Sequence, residues 1–204
     1  MMSVSSNRGL FLRETVLVAS GTCAGILLPG QLRRGLESPV RADEATMGGQ
    51  FERRLKELGI ELPEPARPVA VYVPAVVTGN LLFTSGHIGW SDDGKPLQGR
   101  VGADLTLEQG ADAARRTGLS ILTTLRQTLG SLDKVVRLVK VLGMVNSSPD
   151  FTQHPKVING FSELMVQIFG EDAGKGARSA VGMGALPFNT PVEIEAVFEV
   201  ASGR

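Results

Sequence analysis

From Val192 to Val200 apolar and other residues alternate. Val192, Ile194, Ala196, Phe198 and Val200 share one side, and Glu193, Glu195, Val197 and Glu199 the other. A period of two predicts a strand with one face on a core and one face left for water or a neighbouring surface. The run before it, from Gly176, predicts another strand, with Arg178 near its start. The two are joined by a turn over Leu186, Pro187, Phe188, Asn189, Thr190 and Pro191, a stretch rich in breakers. This reading lets Arg178 and Glu193 meet in one cleft.

Other segments follow the helical period. Ala111, Ala114, Gly118, Ile121, Leu122, Leu125 and Leu129 form a stripe that predicts a main helix over Thr106 to Leu129. Thr106 and Gln109 fit a capping box, Glu108 suits the first turn, and Gly130 ends the helix. Asp112, Arg115, Arg116 and Arg126 read as its solvated face. Val157, Phe161, Leu164, Met165 and Ile168 predict a second helix from His154 or Pro155 to Phe169, stopped by Gly170. Phe51, Leu55 and Leu58 give a short amphipathic helix ended by Gly59.

Two strands, Val69 to Val77 and Asn80 to Ile88, are joined by a tight hairpin at Thr78-Gly79-Asn80. Trp90 to Gly102 reads as a polar loop. Lys134 to Val145 is β-rich and apolar on both faces, as a central or interface strand is. The order β-β-α-β-α-β-β predicts an α+β domain, with helices packed on one face of a mixed sheet. Val135, Val139 and Val141 are then expected on the uncovered face, which argues for an oligomer.

Residues 1–46 differ from the rest. Arg8, Arg13, Arg33, Arg34 and Arg41 are spread among Ser, Gly and apolar residues, and acids are sparse before Glu37. That composition predicts a mitochondrial transit peptide; a secretory signal and an uncleaved extension on a cytosolic protein are the competing readings. The apolar run Val16 to Leu28 is too short and too interrupted for a membrane span of about 20 residues. Residues 47–68 form a short helix with a proline-rich lead-in, and 69–204 the main domain.

Charge narrows the function. Twenty-one basic and 21 acidic residues leave no net charge, and aromatics make up 5%. Neither a basic footprint nor a base-stacking platform for nucleic acid is indicated. Cys23 is the one cysteine, and His87 and His154 lack helical metal-ligand spacing, so neither a metal site nor a disulfide is expected. Gly174-Lys175-Gly176 lacks the spacing and ending of a phosphate-binding loop. Arg178 and Glu193 offer carboxylate chemistry. An arginine fork suits a carboxylate ligand, and Glu193 could activate water. Ser85 and Gly86 would let a ligand approach backbone amides. Each has a plainer reading as surface charge or turn residue, and His87 as a packed ring.

Three stretches resemble the RidA (YjgF) family: Val69 to Ile88 (VAVYVPAVVTGNLLFTSGHI), Ser131 to Val136 (SLDKVV), and Ala177-Arg178-Ser179 followed by LPFNTPVEIEAV. The likeness runs from about Leu62 to Val200. It implies a chorismate-mutase-like fold, a homotrimer with clefts between subunits, and no cofactor. It also implies hydrolysis of reactive enamines and imines to 2-oxo acids and ammonia, with an imino or 2-oxo acid as the small-molecule partner. By that resemblance Arg178 holds the substrate carboxylate and Glu193 positions water, while Tyr72, Ser85, Gly86 and Asn159 line the pocket.

The chain departs from the family pattern at Ala180, Gly182, Pro74 and Ala75 and in the Ser147 to Pro155 loop, as a diverged subfamily would. A non-catalytic or chaperone-like trimer that binds small carboxylates and an RNA-cleaving translation inhibitor are the alternatives that the resemblance carries with it.

Overall fold

The structure, a computed structural model, describes residues 49–65 and 70–202. The expected leader therefore lies outside the described residues, as does Val69.

The strongest local signals form the expected elements. Helix α2 (Leu107–Leu129) begins at a complete capping box: Thr106 accepts from the Gln109 amide, and the Gln109 side chain accepts from the Thr106 amide. It ends at Gly130 in the left-handed region. Helix α3 (His154–Gly174) breaks its dihedrals at Gly170, where the sequence places the stop. Helix α1 (Gln50–Glu57) buries Phe51 and Leu55, and the Phe51 ring meets Phe169 edge-on at 4.9 Å. Arg126, read from sequence as solvated, instead holds Glu52 of α1 through a two-pronged pair at 2.9 and 3.2 Å. Helix α1 is thus tied to the domain.

One sheet holds β1 (Ala75–Thr78), β2 (Leu81–Thr84), β3 (His87–Ile88), β4 (Val135–Asn146), β5 (Ala177–Met183) and β6 (Val192–Val200). The strand order is β1-β2-β6-β4-β5, with β3 also paired to β6. The β4–β5 pair is parallel and the others antiparallel, so the sheet is mixed. Helices α2 and α3 pack together and against β6 and β4. A side chain on Gly160 would overlap the Ala111 carbonyl, so their close crossing depends on that glycine. The core between helices and sheet is closed by Ile121, Leu122, Leu125, Phe161, Leu164, Ile194 and Phe198, all fully buried. Burial of each such side chain is worth roughly 1.5–3 kcal/mol.

The sheet corrects four expectations. First, β1 begins at Ala75, well short of Val69. Pro74 has no amide to give a ladder, and its carbonyl accepts from Ser85 N instead. Second, the second strand is broken at Ser85-Gly86 into β2 and β3. Third, β5 and β6 are consecutive but not adjacent, because β4 lies between them.

Fourth, Val135 and Val141 lie in the core with Leu138, while Val139 is 37% exposed. Irregular pairings between Val135 and Arg137, and between Leu138 and Lys140, shift the strand's phase twice. The uncovered sheet face is still apolar, but through Val76, Phe83, Val136, Val139 and Val181.

Candidate functional site

A cavity of about 480 Å³ opens beside β3, where the chain entering β1, helix α2 and the Pro187–Phe188 turn come together. Tyr72, Ser85, Gly86 and Glu193, four of the six residues expected in the site, line it. The segment that breaks the second strand puts them there. Ser85 Oγ donates to the Val73 carbonyl at 2.6 Å and its amide donates to the Pro74 carbonyl at 2.9 Å, fastening the stretch that carries Tyr72. Glu193 pairs in register with Ile88, and its carboxylate packs on Gly86 so closely that a Cβ there would overlap Oε1. Half-buried, Glu193 has a pKa raised above the ordinary 4.5, first by loss of solvation and then by the Glu195 charge.

His87 forms part of the wall. Its Nδ1 lies 2.8 Å from the Ser85 carbonyl and its Nε2 2.8 Å from Thr124 Oγ1. A carbonyl can only accept, so Nδ1 carries the proton and Nε2 accepts from the Thr124 hydroxyl. Burial lowers the ring's pKa below 6.5, against the smaller opposing effect of the Ser85 carbonyl, which keeps it neutral. Ser120, Thr123 and Thr124 of α2 complete this side, and their spacing of three and four residues puts them on one helix face. Trp90 and Phe188 add rings. No expectation from sequence included these five residues. A short polar stripe on an otherwise apolar helix was the available signal for the three from α2.

Arg178 and Asn159, the other two expected residues, do not line this cavity. Arg178 lies on β5, the opposite edge of the sheet, opposite Val141 in register. One of its terminal nitrogens, Nη1, donates to Asn159 Oδ1 and to Ser162 Oγ, both at 2.9 Å. Neither partner is a carboxylate. Both described contacts use Nη1, so the fork is oriented without engaging Nε or Nη2 among the described residues. Among the described residues of one chain the six candidate residues thus fall into two groups, and the cavity that holds Glu193 does not include Arg178.

Among the described residues no group of three or more His, Cys, Asp or Glu is arranged to hold a metal ion, and no helix is long and apolar enough to cross a membrane.

Residues 52–199 match the family model described as "YjgF/chorismate mutase-like, putative endoribonuclease". The chain is 42% identical over 152 residues to TCP17 of Trypanosoma cruzi, covering 74% of this chain and 95% of that protein. It is 25% identical over 143 residues to the mitochondrial protein MMF1 of Saccharomyces cerevisiae, covering 70% and 83%. A crystal structure of an Agrobacterium tumefaciens protein superposes with a TM-score of 0.68 at 39% identity, covering 76% of this chain and 97% of that one.

Proposed function

This chain belongs to the YjgF/chorismate mutase-like family, and on that premise we propose that it hydrolyses reactive imines and enamines of amino acids to 2-oxo acids and ammonia. One observation carries the reading: a half-buried glutamate of raised pKa, packed on a bare glycine backbone in a mostly apolar cavity. A general base needs a pKa nearer the working pH than an exposed carboxylate has.

The reaction needs no redox partner. Water attacks the imine carbon while Glu193 takes its proton, and a C–O bond forms. That proton passes to nitrogen as the C=N π bond breaks, giving a carbinolamine. The carbinol hydroxyl then gives up its own proton, relayed by Glu193 to the amino nitrogen; the C–N bond breaks, ammonia leaves, and the C=O of the 2-oxo acid forms. The imine carbon is already electrophilic, so orientation and one activated water are what the protein must supply.

The carboxylate clamp comes from a second copy of the chain. In this reading Arg178 and Asn159 at the β5 edge of one copy complete the cavity of the next, where Arg178 binds the substrate carboxylate by paired charge-assisted hydrogen bonds. The apolar open sheet face supports association of copies, and we assign it to a homotrimer. The family description names RNA cleavage instead. Among the described residues of one chain, Glu64 and Glu193 are the charged side chains lining the cavity, and both repel phosphate.

The test is an assay in which an amino-acid oxidase generates the imine, a nucleophile traps it, and the protein competes. The wild type is expected to suppress trapping and Arg178→Ala to lose at least about 30-fold in kcat/KM, the loss of a charged pair of hydrogen bonds. RNA cleavage that survives in Arg178→Ala, without any imine hydrolysis, would overturn the reading. We also propose mitochondrial import through residues 1–46, supported by their composition and by the mitochondrial relative. Fusions with and without those residues test it by where each accumulates.

A further inference from the structure

We infer that this site is built for imino acids with bulky, aromatic side chains rather than for those of three or four carbons. The inference rests on the deaminase reading for its reaction but on separate residues for its specificity. In the single chain the cavity measures about 480 Å³, and the Arg178 of the next copy takes part of it; sites of roughly 300–1,000 Å³ enclose drug-sized ligands, and a three-carbon imino acid is a fraction of that size. Glu193, Ser85 and Gly86 mark the reacting end. Beyond them the wall is Ile88, Trp90, Pro187 and Phe188, an apolar surface with two rings.

Phe188 is held there at a conformational cost. Its φ is 56°, in the left-handed region that bulky residues avoid, and Asn189 follows at 56°. Neither is glycine, so the backbone is not merely turning by the easiest route. Four hydrogen bonds hold it: Gln98 Nε2 donates to the Phe188 carbonyl at 3.2 Å, Gly99 N to the Asn189 carbonyl at 2.9 Å, Asn146 Nδ2 to Asn189 Oδ1 at 2.9 Å, and Asn189 N to the Leu186 carbonyl at 3.1 Å. Strain retained by such over-determination is typical of ligand sites. Phe188 lines the cavity and is 54% exposed, so packing within the chain leaves it largely uncovered.

The hydroxyls of the α2 wall do not make the pocket a polar one. Ser120 donates to the Ile88 carbonyl, Thr123 to the Pro63 carbonyl and Thr124 to His87, so their protons are used by the fold. A substrate side chain meets methyls, rings and acceptor oxygens there. Glu64 at the cavity repels an acidic side chain, because the Arg178 of the neighbouring copy is engaged by the substrate's own carboxylate. An aromatic side chain instead gains offset or edge-to-face contact with Trp90 and Phe188.

The experiment compares kcat/KM for imines generated from phenylalanine, alanine and glutamate, in the wild type, Phe188→Gly and Trp90→Ala. Glycine suits the positive φ, so Phe188→Gly removes the ring without adding strain. The expected result is a phenylalanine-to-alanine ratio of at least tenfold, with glutamate below both, and a fall of that ratio by about tenfold in either variant. A wild-type ratio at or below one, or a ratio unchanged in both variants, overturns the inference. Should no imine be hydrolysed, the deaminase reading fails and the specificity is decided by calorimetry. Phenylpyruvate binding at least tenfold more tightly than pyruvate then supports an aromatic site, and equal binding of the two overturns it.

Discussion

The two groups of candidate residues lie apart on one sheet, one beside β3 and the other on the β5 edge, and their surroundings are of opposite kinds. At the β3 edge Glu193 is half-buried, faces a glycine and has a pKa raised by lost solvation. At the β5 edge Arg178 is exposed and carries its own polar scaffold in Asn159 and Ser162. A base gains from a dry, unassisted position, because desolvation moves its pKa toward neutrality. A carboxylate clamp gains from pre-orientation, because an arginine fork loses less freedom on binding when already held. Building them in separate places lets the chain set each environment independently before a second copy brings the two together.

The largest effect should come from removing the base. Glu193→Gln is expected to lower kcat by about 10²–10⁴ while a 2-oxo acid still binds. Because the wild-type pKa lies above 4.5, the ionised base disappears as pH falls through that raised value. The acid limb of the kcat/KM profile should therefore lie above the ordinary carboxylate range, and the residual rate of Glu193→Gln should lack it. Binding lost along with turnover in this variant would make Glu193 a ligand contact, and the division of labour would be wrong.

Gly86→Ala should come next. Its Cβ would overlap Glu193 Oε1, so the carboxylate must move. A displacement costing about 1–3 kcal/mol of overpacking should appear mainly in kcat, with a fall of roughly 5- to 150-fold at 1.4 kcal/mol per decade. An unchanged kcat would show that the seat of the carboxylate does not matter.

His87 predicts a smaller, pH-dependent effect on stability. Its folded pKa is below 6.5 because burial disfavours the charged ring. A lowered histidine pKa contributes stability that is present above the unfolded value and is lost as pH falls through the folded value. Melting temperature should therefore drop as pH falls below about 6.5, and His87→Gln should flatten that slope. A parallel slope in the variant would place the titration elsewhere.

The smallest effect is expected at the clamp's scaffold. Asn159→Ala removes one hydrogen bond to Arg178, worth about 0.5–1.5 kcal/mol. It should raise KM a few-fold with kcat nearly unchanged. A loss as large as that of Arg178→Ala would make Asn159 a direct substrate contact.

The sequence carried the strongly periodic parts of this molecule well. Thr106 with Gln109 and the alternation from Val192 to Val200 are local patterns, and the chain obeys both. The phase of β4 was not legible, because two irregular pairings are set by its neighbours rather than by its own residues. Val135 and Val141 were therefore placed on the wrong face. The resemblance pointed to six site residues, and the cavity gathers four. It could not show that β4 separates β5 from β6, since strand order depends on contacts distant in sequence. Trp90 and Phe188 escaped notice because a ring in a loop has no period to mark it.

The central claim is that Glu193 of one copy works with Arg178 of another. Mixing subunits tests it directly. Arg178→Ala and Glu193→Gln proteins, each nearly inactive, are unfolded together in equal amounts, refolded and assayed for imine hydrolysis. If each site draws one residue from each of two copies, about a quarter of the sites in randomly mixed oligomers hold both native groups. Activity should then return to about a quarter of that of wild type refolded alongside. Activity no higher than the average of the two variants would contradict the account and require Arg178 and Glu193 to act within one chain.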